Sequence, residues 1–500
     1  MRGTVHILRA WGLAVLLFAG VQAARAQGDR AAFEQDASEA QNLQSRAIGA
    51  FLSGDYELSE KLLRDQLKLE PDSYFPHYNL ACTLSRQGRL DEAMGFLERA
   101  VELGFSDVYQ LQRDESFRPL ASMDRFKRLI AGWDRVLDAQ GEARLERLRA
   151  TYGKAYLYER DERLRLNFAT GYDEGSFADA RRELAMLADW ATREVFPELA
   201  QGGEGDAWVS VVLPTRKDYQ LWLARTYGAF ASRGFSTLGG AYSHDRKELV
   251  AQDLGGTLRH EFLHVLHFRS CTRLSQSHPV WIQEGLCSLV EDYDLTPDAA
   301  PLFTANWRTN IPRRLLKAGK LPTIAELAGT SREQFTGSRP LAFYAQARAV
   351  FLWMFQRGCL GAWYAHYTTH YKDDPSGYAS IVAVTGLEGD DLERAYRAWL
   401  SALPEVPEEI EPGRASLGIE VGPGSGDGPV ITSSVPSSRF RGQDERLKLR
   451  DVITHLNGQP TRDLAELIRR LSRFQPGDVV EIRFRRGSIH GVARIDLRRK

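Results

Sequence analysis

The 500-residue chain sets 65 Lys and Arg against 66 Asp and Glu, for a net charge of −1, and is 43% apolar and 26% charged. This is the composition of a globular chain long enough for two to four domains, and it excludes fibrous or largely disordered organisation. No basic stripe stands out, so nucleic acid is not expected as a partner.

In chain order, Arg2 and Arg9 precede the apolar run "AWGLAVLLFAG", and "ARA" follows at 24–26. A basic start, a short apolar stretch and small residues at the cleavage positions describe a secretory signal peptide over 1–26, cut before Gln27. The run is short for a membrane span. No later segment is apolar enough to cross a bilayer, so the mature chain is expected to be exported, periplasmic or secreted, with no membrane span. Cys82, Cys271, Cys287 and Cys359 fit no zinc-ribbon or redox spacing. An oxidising compartment permits one disulfide, with Cys271 and Cys287 the pair to test; inert buried thiols are the plainer reading.

Residues 40–105 repeat with a period of 34: Ala47 matches Ala81, Gly54 matches Gly88, and Leu63 matches Leu97. The stretch "GRLDEAMGFLERAVEL" resembles the second helix of a tetratricopeptide repeat, and Pro71 stands where such helices end. The resemblance implies a small helical repeat array over 35–135, closed by "DESFRPLASMDRFKRL" and suited to docking a protein partner. Residues 145–252 then mix strands and helices. "LYERDERLRLNFAT" reads as a strand, "DARRELAMLADWATREVF" as a helix and "AWVSVVLP" as a strand.

"TLRHEFLHVLH", Thr257 to His267, puts titratable groups on an otherwise apolar helix. Buried ionisable groups cost free energy unless something satisfies them. His260 and His264 are four apart and project from one helical face. Two nitrogens so placed can reach one zinc at about 2.0–2.1 Å. Glu261 would face a water in the open coordination position and act as general base. A third ligand is available in "VWIQEGLCSLVEDY": Glu284 lies in a second apolar segment, where a buried carboxylate needs a partner. Glu291 and Asp292 fall nearer the segment's end and read as solvated. His267 follows three residues after His264, but Ser270 interrupts any three-histidine continuation.

"GGTLRHEFLHVLH" with "WIQEGLCSLVE" resembles the gluzincin metallopeptidases, and more closely the bacterial peptidase MA-like proteins, over about 155–402. That resemblance implies one zinc per chain, with His260, His264 and Glu284 as ligands and Glu261 as base. It also implies a mixed-sheet lobe and a helical lobe with the metal between. Such enzymes often place an aspartate four residues after the glutamate ligand to orient the first histidine; here that position is Ser288. A tyrosine or histidine from the helical lobe often steadies the oxyanion. Tyr344 resembles that tyrosine by position, although Phe343, Tyr344, Ala347 and Phe351 also read as an ordinary core stripe; Arg348 is a second candidate. "LGGAYS", 238–243, resembles a cleft strand that pairs with substrate backbone. It lacks the glutamate with which related aminopeptidases hold a free amino group, which favours an endopeptidase.

"PEVPEEIEPG" reads as a linker over 403–413. Beyond it, "SLGIEV", "LRDVITHLNGQP", "DLAELIRRLSRF" and "PGDVVEIRFRRG" alternate as strands around one helix, with Asn457-Gly458 a hairpin signal. The series resembles a PDZ domain over 414–500. The resemblance implies that the backbone amides of Leu417, Gly418 and Ile419 grip a peptide carboxylate. The expected whole is an α+β multidomain protein: tetratricopeptide-like helical array, gluzincin-type zinc peptidase core over 145–402 and C-terminal β-rich PDZ domain. Its expected partners are a peptide or protein substrate, and proteins docking on the repeats or the PDZ domain. A glycyl-aminopeptidase-like exopeptidase and a non-catalytic envelope scaffold are the alternatives.

Overall fold

A computed structural model describes residues 27–201, 205–227, 239–424, 426–433 and 447–500. The signal-peptide segment 1–26 and Leu238 of the cleft strand lie outside the described residues.

The N-terminal region is helical. Helices Gln27–Leu52, Tyr56–Leu69, Tyr74–Arg86 and Leu90–Glu102 form two successive hairpins. The matched glycines explain the register. Gly54 and Gly88 both take left-handed backbone, φ +86° and +81°, in the turn that ends the first helix of each hairpin, with open space around each. Glycine is there for conformation, since a Cβ would strain that turn. The region's core gathers Phe51, Tyr78, Leu84, Met94, Leu97 and Phe105. Buried Asp114 accepts the Tyr78 hydroxyl at 3.0 Å and the Ser116 amide at 2.9 Å. Helix Trp133–Tyr152 joins this region to the next: Arg144 donates to the Trp208 carbonyl at 2.9 Å, and Asn167 donates to the Gly141 carbonyl at 2.8 Å.

A five-stranded mixed sheet follows: β1 (Leu157–Asp161), β2 (Leu166–Thr170), β3 (Val209–Leu213), β4 (Gly240–Ser243) and β5 (Glu248–Ala251), in the order β1-β2-β3-β5-β4. β2, β3 and β5 run parallel; β1 and β4 are antiparallel edges. The stretch read as one strand, "LYERDERLRLNFAT", is instead a hairpin. The Leu164 amide donates to Asp161 Oδ1 at 2.9 Å, and Arg165 takes φ +48°, so the chain reverses between β1 and β2. β2 and β3 are buried along their whole length, as parallel strands covered on both faces are, and are mainly apolar apart from buried Asn167, Thr170 and Ser210.

From Gly256 the chain is mainly helical. The motif helix Gly256–Leu274 and the second helix Val280–Leu289 pack with helix Pro340–Gln356 in one large core. Gly285 sets the spacing: a Cβ there would overlap the Phe351 ring and meet Ala347 Cβ at 3.1 Å. The 403–413 stretch is fastened down, with Val406 exchanging hydrogen bonds of 3.0 and 2.7 Å with the Asn310 side chain. The C-terminal region is β-rich. Val452–Leu456, Val479–Arg486 and Ile489–Asp496 form its antiparallel centre, and helix Leu464–Leu471 packs on it through Leu467 and Leu471. Asn457 and Gly458 both have positive φ, 49° and 76°, in a two-residue hairpin turn. Among the described residues no helix is long and apolar enough to cross a membrane.

Gly285→Ala should lower stability by about 1–3 kcal/mol through overpacking against Phe351. Thermal unfolding followed by circular dichroism checks this; an unchanged midpoint would show that the two helices have room to separate.

Candidate metal centre

The motif helix and the second helix bring three side chains to one point. The His260 and His264 rings lie one helical turn apart, with centroids 4.9 Å apart. From the facing helix, Glu284 Oε2 comes to 3.2 Å from His260 Nε2 and 3.6 Å from His264 Nε2. Ligands around a tetrahedral ion with bonds of 2.0–2.1 Å are separated by roughly 3.3 Å. One carboxylate oxygen between two imidazole nitrogens therefore has the spacing of a shared coordination sphere, and the donor set suits zinc. Cys287, three residues after Glu284, is also near: one ligand atom each from His260, His264 and Cys287 lie within 4.8 Å of one another. The carboxylate is the better third donor because a single oxygen reaches both rings. Burial, reinforced by Glu284, Glu261 and Glu291, pushes the Cys287 thiol well up and keeps it protonated.

Glu291 is not solvated, contrary to the sequence reading. Its side chain is 12% exposed, and Oε1 stands 3.0 Å from His260 Nδ1. Arg308 holds the same carboxylate through Nε at 2.5 Å and Nη2 at 3.1 Å. Glu291 thus fills the orienting place left open by Ser288, whose hydroxyl is buried without a hydrogen-bond partner among the described residues. Such partners fix ring orientation and raise ligand basicity. The second helix ends at Leu289, so helical periodicity from Glu284 does not extend to Glu291 and gives no local signal for it. Asp292 is buried as well, paired with Arg469 at 2.7 Å.

Glu261, beside His260 on the motif helix, is pushed up by burial, with the two histidines pulling the other way. Edge strand β4 passes directly over it. A Cβ at Gly240 would lie 3.2 Å from Glu261 Cγ and 2.7 Å from Thr257 Cγ2, so only glycine lets the strand come so close. Tyr344 is half-buried against Phe335, ring centroids 5.1 Å apart. Burial pushes its hydroxyl up, and Glu284 and Glu261 add to the effect, so it shares their electrostatic surroundings. Arg348 is turned elsewhere: fully buried, it donates to the carbonyls of Ser288 at 3.0 Å and Thr304 at 3.1 Å, a tethering role instead of an oxyanion contact.

His267 belongs to a separate buried group. Its Nε2 lies 2.8 Å from His278 Nδ1, and Cys271 Sγ lies 3.6 Å from that same nitrogen. Burial pushes His278 down to about 3, so both rings are neutral hydrogen-bonding members of the core. All four cysteines are free, in keeping with the plainer reading as thiols, and Cys271 and Cys287, the pair singled out for a disulfide test, belong to different buried groups.

In the C-terminal region, Leu417 is buried in the core, Gly418 has φ +62° and donates its amide to Ser416 Oγ at 3.3 Å, and Ile419 is half-buried. Residues 415–497 match the PDZ domain family model. This region is a PDZ domain. Its helix Leu464–Leu471 does not face solvent: Glu466, Arg469 and Arg470 are buried against the helical lobe. A solved structure of an aminopeptidase N family protein from Idiomarina loihiensis aligns at 10% identity over 69% of this chain and 67% of that one, with a TM-score of 0.25. That likeness is too loose to establish a shared fold. No curated relative matches the sequence.

Glu291→Ala, which frees His260 Nδ1 and leaves Arg308 unpaired, should weaken zinc binding about 10–100-fold in a chelator competition. In the metal-free chain burial pulls His260 down, but the hydrogen bonds to Glu284 and Glu291 outweigh it and push the ring up to about 10. His260 then carries a proton at neutral pH that a metal must displace. Apparent zinc affinity should therefore climb about tenfold per pH unit from near neutrality towards the His260 value. A flat profile by calorimetry would contradict the raised value.

Proposed function

We propose that this chain is an exported zinc-dependent peptidase of gluzincin type, cutting within peptide chains. The observation that carries the reading is the single Glu284 oxygen placed 3.2 and 3.6 Å from the Nε2 atoms of His260 and His264. His260, His264 and Glu284 would hold the ion. Zinc, when bound, supplies Lewis acidity that polarises a carbonyl and lowers the pKa of water to about 7.

The chain's own groups do the rest. Glu261 takes the proton from water as its oxygen attacks the peptide carbonyl carbon, then passes that proton to the departing amine nitrogen. A half-buried carboxyl with a raised pKa suits that carrier, since it must hold the proton between the two steps. Tyr344, whose hydroxyl feels the charges of Glu284 and Glu261, would donate a hydrogen bond to the oxygen on which negative charge develops. β4 would offer substrate a strand edge that is unpaired among the described residues, and Gly240 lets that edge pass over Glu261. No carboxylate lies between Gly239 and Ser243 to hold a free amino terminus, which favours internal cleavage. The helical hairpins, whose glycine-marked period resembles tetratricopeptide repeats, would dock a protein partner. The amides of Leu417, Gly418 and Ile419 would receive a peptide carboxylate, although that of Gly418 already bonds Ser416 Oγ.

Glu261→Gln should retain one zinc per chain yet lose about 10²–10⁴-fold in kcat on a casein or peptide-library substrate. Wild-type activity should vanish with chelator and return with zinc. Equal turnover by the variant would remove Glu261 as base. Zinc binding without hydrolysis across the library would favour the scaffold alternative.

A further inference from the structure

The PDZ helix meets the helical lobe through charge. Four buried arginines, Arg259, Arg462, Arg469 and Arg470, face four buried acids, Glu183, Asp292, Asp294 and Glu466. Arg259, the residue just before His260, donates through Nη1 to Glu183 at 3.0 Å and through Nη2 to Glu466 of the PDZ helix at 2.5 Å. The same Nη2 donates to the Glu291 carbonyl at 2.5 Å. Arg469 binds Asp292 at 2.7 Å and Asp294 at 3.0 Å; Arg470 binds the Tyr293 carbonyl at 2.9 Å and Asp294 at 2.8 Å. Arg462 closes the network on Glu183 through Nε at 2.9 Å, and its backbone amide donates to Glu466 at 2.7 Å.

Each residue from 291 to 294 is therefore gripped by an arginine, three of them by arginines of the PDZ helix. This short segment starts with Glu291, the carboxylate that orients His260. Docking alone needs no such arrangement, since an apolar interface holds two domains without the cost of desolvating eight charges. What paired guanidinium forks add is fixed direction.

We propose that Glu466 and Arg469 of the PDZ domain are positioning residues for the metal centre. They fix Arg259 and the 291–294 segment, and through Glu291 they fix the His260 ring. The PDZ domain is on this view a structural part of the catalytic unit, and movement of its helix is felt at His260. The inference rests on the peptidase reading for its meaning, but it can be tested without turnover.

The full chain is compared with Glu466→Gln, Arg469→Lys and a control, Arg486→Met, which breaks a pair with Asp451 inside the PDZ domain, away from this network. Arg469→Lys keeps the charge and gives a second reading should Glu466→Gln not fold. Two quantities are measured: zinc affinity by chelator competition, and hydrogen–deuterium exchange over 290–295. The expected result is about tenfold weaker zinc binding in both network variants, as for other outer partners of ligands. Exchange over 290–295 should be faster in both, with the control like wild type in both quantities. Folded network variants with wild-type affinity and exchange would overturn the inference and leave the peptidase reading untouched. If wild type bound no zinc, the peptidase reading would fall. The exchange data alone would then decide the clamp, faster exchange supporting it and unchanged exchange overturning it.

Discussion

One carboxylate oxygen sits between two imidazoles, and much of the surrounding architecture keeps it there. Three titratable groups in a largely apolar helix pair are unfavourable unless they satisfy one another or share an ion. Bringing Glu284 to His260 and His264 requires the second helix to lie tight between the motif helix and helix Pro340–Gln356. Gly285, with no side chain to hold Phe351 away, permits that approach. The same need for closeness recurs at Gly240, where the edge strand runs over Glu261. Two glycines on different elements thus let their neighbours close in beside Glu284 and Glu261.

Around that volume the protein spends buried charge freely, and each charge has a counterpart. Glu291 is held by Arg308 while it orients His260. Arg259 stands one residue before the first histidine and is shared by Glu183, Glu466 and a backbone carbonyl. The contrast with His267, Cys271 and His278 is instructive. That group is as buried, but among the described residues no carboxylate hydrogen-bonds to its rings, and burial pushes both well down. Hydrogen bonds to Glu284 and Glu291 set His260 apart from these core rings.

Much of this was legible in the sequence. The four-residue spacing of His260 and His264 and the apolar setting of Glu284 sufficed to bring the three together, because helix geometry is local and strongly periodic. The PDZ domain was legible because alternating strands and an Asn-Gly turn are short-range signals. The 34-residue period led to the helical hairpins through Gly54 and Gly88, whose left-handed turns no other residue adopts as readily. Contacts across the fold were not legible. Glu291 was read as solvated because its partners, His260 and Arg308, are distant or lie beyond a turn. Arg348 looked like a catalytic candidate because nothing local reveals that its Nε and Nη2 are taken by the Ser288 and Thr304 carbonyls. The β1–β2 stretch was read as one strand because a reversal at Asp161 and Arg165 needs neither glycine nor proline.

Two donors compete for the third place at the centre, Glu284 and Cys287, and their chemistries are readily told apart. X-ray absorption at the zinc edge of the loaded full-length chain reads that place directly. Nitrogen and oxygen neighbours only are expected, at about 2.0–2.2 Å, with two imidazoles per zinc. A sulfur scatterer at about 2.3 Å, or a zinc with no imidazole at all, would contradict it.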